Sequence, residues 1–337
     1  MFNLASLPRT LPAALRDVTH RRVHVRLAAV RDLARLAQET PEPAVGALLQ
    51  ALSDPAAPVR ARAALALADA QVEVSSSALL PLLDDVDAHV REMALTALGE
   101  TSRPDDALAL EAIRGALESE SAALRFQALI AYARVAEEKA LPTLLAALGD
   151  PDARVRYVAL RAAEERIDEN AAAPARAELH SRAEAALEDE AADVRLAAAI
   201  VLAKTGHAAA FEEIASAVNA LGAAREPEDE QTAIDLAGEL GIAAARPGLM
   251  RRAFGGVLRR DRFAWQARVA LARLGDERAR RSILKDLHSW SYEVRSLAVA
   301  AAGRARVLEA RPALLALRSS PKRADPEAVQ EALALLA

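Results

Sequence analysis

The residues able to do acid–base or metal chemistry are scattered along this chain. Six histidines stand at positions 20, 24, 89, 180, 207 and 288. Only His20 and His24 have the i,i+4 spacing that puts two side chains on one helix face. No third ligand stands near them, and a protein zinc site takes three or four. None of the six is followed by a glutamate. Cysteine is absent, which removes disulfides, thiolate ligands and a cysteine nucleophile. No Walker-type phosphate loop, dinucleotide glycine fingerprint or serine–histidine–aspartate set occurs. The expectation is a chain with no catalytic residues, no metal site and no cofactor.

Arginine is the residue that recurs in order. Val25-Arg26, Val59-Arg60, Val90-Arg91, Leu124-Arg125, Val155-Arg156, Val194-Arg195 and Val294-Arg295 open Ala/Leu-rich segments. Four residues past each first position stands an alanine: Ala29, Ala63, Ala94, Ala128, Ala159, Ala198 and Ala298. Ala233, Ala267 and Ala332 keep the phase where the pair itself has degenerated. The spacing runs from 31 to 39 residues, a period that means stacked supersecondary units. An arginine near a helix start, beside turn aspartates, can tie successive turns together through charge-assisted bonds. A phosphate-binding ladder is the other use of such a series, and recurrence with the repeat itself favours the structural one.

The elements that carry these residues follow from their periodicity. The positions +0, +4, +5, +7 and +8 from each valine are apolar, as at Val59, Ala63, Ala64, Ala66 and Leu67. That spacing makes one face of a helix. A turn such as Ser53-Asp54-Pro55 or Gly149-Asp150-Pro151 precedes it. Proline there ends the preceding helix, and the aspartate is placed to accept backbone N–H groups. Each unit therefore reads as two antiparallel helices, for example Pro43–Leu52 with Pro58–Ala70. The last unit, near Asp325–Ala337, reads as truncated.

These residues resemble the HEAT-repeat family, in the short bacterial HEAT-like form also called phycobilisome-lyase-type. The pattern Asp-Pro-x-x-x-Val-Arg-x-x-Ala-Ala-x-Ala-Leu stands at Asp54–Leu67. The resemblance implies an all-α, right-handed α-solenoid of about ten antiparallel helix-pair repeats. It covers 1–337 as a single array, with 1–22 as an N-terminal cap region and 306–337 as a C-terminal capping repeat. It also implies a non-catalytic scaffold or adaptor that binds protein or peptide on a concave face made by the second helices. Hydroxylases of this repeat type use His-Glu pairs, absent here. Glycosylases of this type set a carboxylate one turn from a tryptophan, whereas Trp265 is followed one turn on by Val269. Asp235 and Glu239, one unit earlier, are the carboxylates placed to approach it. A lyase or regulatory subunit acting with an enzyme is a further class within the family.

Positions +2, +3, +6 and +10 fall on the face opposite the buried one. Aromatic residues are only 3% of the chain, yet Phe126, Tyr157 and Trp265 occupy this face. Met93, Ile130, Val158, Arg161, Leu196 and Ile200 join them. An apolar strip with charged edges suits a partner helix or an extended segment. The alternative use of these side chains is packing between repeats.

A second surface feature is basic. Arg251, Arg252, Arg259, Arg260 and Arg262 lie in an arginine-rich stretch spanning 246–285. It reads as a solvated, salt-bridged surface or as a site for nucleic acid. The net charge of −5 gives no bulk electrostatic case for nucleic acid. The first nine residues lack the basic start and long apolar core of a signal peptide, and no eighteen-residue apolar run occurs. A cytoplasmic protein without a membrane span is the expectation.

Overall fold

The computed structural model describes residues 9–104, 106–167, 173–220, 222, 226–255, 261–320 and 322–337. Among these residues the secondary structure is helical throughout, joined by turns, with no strand. Backbone contacts divide the chain into two compact units, Met1–Ala172 and Ala173–Ala337.

Unit 1 holds five helix pairs among its described residues. These are α1 (Leu11–Asp17) with α2 (Val23–Leu36), α3 (Pro41–Ala51) with α4 (Ala57–Asp69), and α5 (Ser76–Leu79) with α6 (Ala88–Thr101). Then come α7 (Ala107–Leu117) with α8 (Ala122–Ala136) and α9 (Leu141–Ala146) with α10 (Ala153–Arg166). A 3₁₀ turn, Leu80–Asp84, continues α5. In unit 2 the pairs are α11 (Ala173–Ala186) with α12 (Ala192–Lys204), α13 (Phe211–Asn219) with α14 (Pro227–Glu239), and α15 (Arg246–Phe254) with α16 (Ala264–Arg273). They end with α17 (Glu277–Asp286) and α18 (Tyr292–Arg304), then α19 (Arg311–Arg318) and α20 (Pro326–Leu335). The last described repeat is a helix pair, with Pro312 and Pro326 in the first turns of its two helices.

Each pair packs within itself, and each second helix also packs on the next: α2 on α4, α4 on α6, α6 on α8 and α8 on α10. In unit 2 α12, α14, α16, α18 and α20 form the same series. The repeat residues explain this layer. Val59, Ala63, Ala64, Ala66 and Leu67 are all 0% exposed, as are Val90, Ala94, Leu95, Ala97 and Leu98. Small residues at the crossings let backbones touch. A Cβ on Gly99 would lie 2.8 Å from the Ala131 Cα, and one on Gly238 2.5 Å from the Ala270 Cα. These glycines set the inter-helix distance at α6–α8 and α14–α16.

Within each unit the arrangement is that of an α-solenoid, helix pairs stacking in sequence order through their second helices.

Candidate functional site

The motif arginines occupy the turn edge of the stack, and their geometry repeats. Arg60 donates from Nη1 to the Asp54 carbonyl in its own turn, 2.8 Å, and its fork grips Asp85 of the next turn at 2.6 and 2.7 Å. Arg26 grips Asp54 at 2.6 and 2.7 Å. Arg125 grips Asp150 at 2.7 and 2.8 Å. Each aspartate also caps its own turn by accepting the N–H two residues on: Ala56, Asp87 and Asp152, at 2.8 to 2.9 Å. Such parallel charge-assisted pairs are among the stronger hydrogen bonds in proteins. The Arg60 fork holds the Asp85 carboxyl below the ordinary carboxylate range. Burial pushes Asp150 upward, but the Arg125 fork and the Asp152 backbone N–H together outweigh it, and the carboxyl is again lowered. The series therefore clamps repeat to repeat, as the turn aspartates led one to expect.

Unit 1 brings six residues of the strip onto three adjacent second helices. Met93 lies on α6, Phe126 and Ile130 on α8, and Tyr157, Val158 and Arg161 on α10. All six are partly exposed, neither sealed nor free. The rows are in register, since Thr96 on α6 reaches Gln127 on α8 at 3.3 Å. Charged residues edge them: Arg134 on α8 pairs with Glu100 on α6, and Arg161 with Glu164. The +10 positions Asp69, Glu100, Arg134 and Glu165 are exposed, as their helical phase requires.

Unit 2 treats its share differently. Leu196 is 3% exposed and Ile200 0%, so both leave the proposed docking strip. The reason is that α12 is apolar on nearly all sides: every residue from Leu196 to Ala203 is buried. Such a helix lies inside the packing and has no outward face. Trp265 on α16 stays partly exposed, with the Arg268 guanidinium 4.7 Å from its ring centre. Arg268 also meets Asp286 at 3.1 Å. Asp235 on α14 is half-buried, and that burial, reinforced by the Glu239 charge, pushes its carboxyl above the ordinary range. Arg273 and Arg304 act on it in the opposite sense.

Among the described arginines of the basic region, Arg252 leaves the surface expected from composition. Arg252 is 3% exposed. Its Nη2 meets Glu230 at 2.6 Å, and its Nη1 lies 3.5 Å from Asp261. Arg262 reaches the other Glu230 oxygen at 3.0 Å, and the Gly222 N–H donates to Glu230 at 2.7 Å. Burial pushes the Glu230 carboxyl up, yet these three partners together hold it below the usual range. Arg251 is exposed but donates to the Asn219 carbonyl at 2.5 Å. Arg259 and Arg260 lie outside the described residues. Arg252 is therefore an internal ion-pair residue, because Glu230 on α14 and Asp261 just ahead of α16 converge on it, which composition alone does not show.

Sequence reasoning passed over two features. Glu230 and Asp261 were legible as acids near the arginines, but their convergence on Arg252 needed the fold. Trp290, fully exposed between Ser289 and Ser291, sits at a turn tip where repeat position alone gives no reason for a tryptophan. Among the described residues no three His, Asp or Glu side chains converge to hold a metal. No described helix is long and apolar enough to cross a membrane.

The profile of the HEAT repeats matches residues 45–116 and 110–181, so the chain carries HEAT repeats there. No curated protein shows significant sequence similarity to it. Among solved structures, YibA of Escherichia coli is 17% identical with a TM-score of 0.50, over 79% of this chain and 93% of that one. A chain from the CpcE–CpcF complex of phycocyanin lyase from Nostoc sp. PCC7120 is 21% identical with a TM-score of 0.46, over 81% and 97%. An engineered protein is 19% identical with a TM-score of 0.43, over 97% and 98%. The likeness to YibA, at that identity, is one of fold alone.

Proposed function

We propose that this helical-repeat protein is a non-catalytic scaffold that docks a partner helix or extended segment on the second-helix face of unit 1. The observation that carries the reading is the partly exposed row Met93, Phe126, Ile130, Tyr157 and Val158 on α6, α8 and α10. In a chain with 3% aromatic residues, two of them stand on this face. Aromatic residues and arginines dominate binding energy at interfaces, and Arg161 lies at the edge of the row. A partner helix would present its own apolar residues one turn apart to the furrows between these helices. The stacked frame holds the contacts in place beforehand, so little conformational entropy is lost on binding.

The test uses a partner first captured from the native host and then purified. Phe126→Ala with Tyr157→Ala should leave helicity unchanged and weaken that complex by about 1–4 kcal/mol. An unaltered affinity together with a lowered melting temperature would assign both rings to packing between repeats and end the proposal.

A further inference from the structure

The arginine series has a gap. Arg91 donates from Nη1 to the Asp85 carbonyl at 2.6 Å, as each motif arginine does in its own turn. The next turn, which should supply its carboxylate, reads Ser119-Glu120-Ser121. Ser119 stands at the aspartate's position: its hydroxyl accepts the N–H two residues on, from Ser121, at 3.2 Å. The same bond in the neighbouring turns is made by Asp54, Asp85 and Asp150. Serine is shorter and neutral. Among the described residues no carboxylate meets the remaining Arg91 donors.

A cavity of about 790 Å³ opens where that carboxylate is missing. Arg91, Ser119 and Ser121 supply its polar wall, and Leu80, Leu95 and Leu124 stand among its apolar lining. The volume falls within the range of about 300–1,000 Å³ usual for small-molecule sites. Asp84 and Glu120 also border it, but both are exposed, where water screens their charge. Neither is hydrogen-bonded to Arg91.

We propose that this cavity binds a small monocarboxylate with an aliphatic body, its carboxylate taking on Arg91 the place that Asp54, Asp85 and Asp150 take on Arg26, Arg60 and Arg125. The chain's own aspartates are the stand-ins for the ligand: three times over, they show what an arginine in this setting grips. The leucines would receive the aliphatic part, and a neutral head group would leave the arginine fork unanswered. This site is on the turn edge and is separate from the proposed docking row.

The experiment is calorimetric titration of the full chain with octanoate, and with octanol as the neutral probe. Octanoate should bind and octanol should not. Arg91→Ala should weaken octanoate binding at least tenfold. Ser119→Asp should abolish it while raising the melting temperature, because the chain then supplies the carboxylate itself. Ser119→Asp copies the neighbouring turns, so its folding is not in question. No octanoate binding to the wild-type chain, equal binding of octanol, or octanoate binding undiminished in Ser119→Asp would each overturn the assignment.

Discussion

In unit 1, three of the four junctions between successive helix pairs are registered by one interaction: an arginine fork on the aspartate of the next turn. Between the second and third pairs of unit 2 that device is absent, and a compact cluster of Arg252, Glu230, Arg262 and Asp261 stands in its place. The repeated pairs are partly wet, with side-chain exposures of 15% and 10% for Arg60 and Asp85. The cluster is drier at its centre, with 2% and 4% for Arg252 and Glu230. Dry ion pairs gain more from each other but lose more when broken, because the survivor cannot return to water. A periodic sequence can spread its fastening over many modest contacts. Where the Val-Arg pair has degenerated, ahead of Ala233 and Ala267, one strong aperiodic contact carries the load.

The largest expected effect is therefore at Arg252. Arg252→Ala strands the Glu230 carboxylate and should cost about 3 kcal/mol of unfolding free energy, at the lower end because Arg262 and the Gly222 amide remain. The double change Arg252→Met with Glu230→Leu should cost clearly less than Arg252→Ala, since no buried charge is left. Chemical denaturation measures both. A double variant as unstable as the single one would show that the cluster acts through shape, not through charge.

A smaller loss is expected from Asp85→Ala in unit 1. It frees one partly solvated fork and one turn N–H, and should cost about 1–2 kcal/mol. Hydrogen exchange should quicken locally, at the Asp85 turn and the start of α6. If Asp85→Ala proved as costly as Arg252→Ala, the contrast between spread and concentrated fastening would fail.

Much of this was legible in the sequence because the repeat is a local signal. Val59 and its +4, +5, +7 and +8 neighbours are buried as their spacing requires, and Asp54 caps its turn as its place before Pro55 suggests. The pairing of Arg60 with Asp85 followed from the same logic one repeat on. The candidate strip was legible only in part. Helical phase put Phe126, Tyr157 and Ile200 on one face, but whether that face meets water depends on neighbouring elements. For α12, apolar on all sides from Leu196 to Ala203, phase carries no information about exposure. Arg252 was misread for a related reason: its acids lie 22 residues before it and nine after, on neighbouring elements. Composition counts charges; it does not pair them.

The smallest effect concerns acid and sharpens the comparison by sign. Asp85, Asp150 and Glu230 have carboxyls held below the ordinary range. Each contributes stability that is present above the ordinary carboxylate value, about 4, and is lost as pH falls through the lowered one. Asp235 has the opposite sign, because burial raises its carboxyl. The folded form holds that proton more tightly than the unfolded chain does. Its contribution is therefore most favourable in acid and declines as pH rises from about 4 through the raised value. Asp235→Asn removes this decline without removing bulk. The variant should melt above the wild-type chain near neutral pH, and the two should converge below about pH 4, where both side chains are neutral. Melting curves across that range decide it. A variant that is less stable near neutral pH would mean that Arg273 and Arg304 outweigh burial, making Asp235 a fastening residue like those of unit 1.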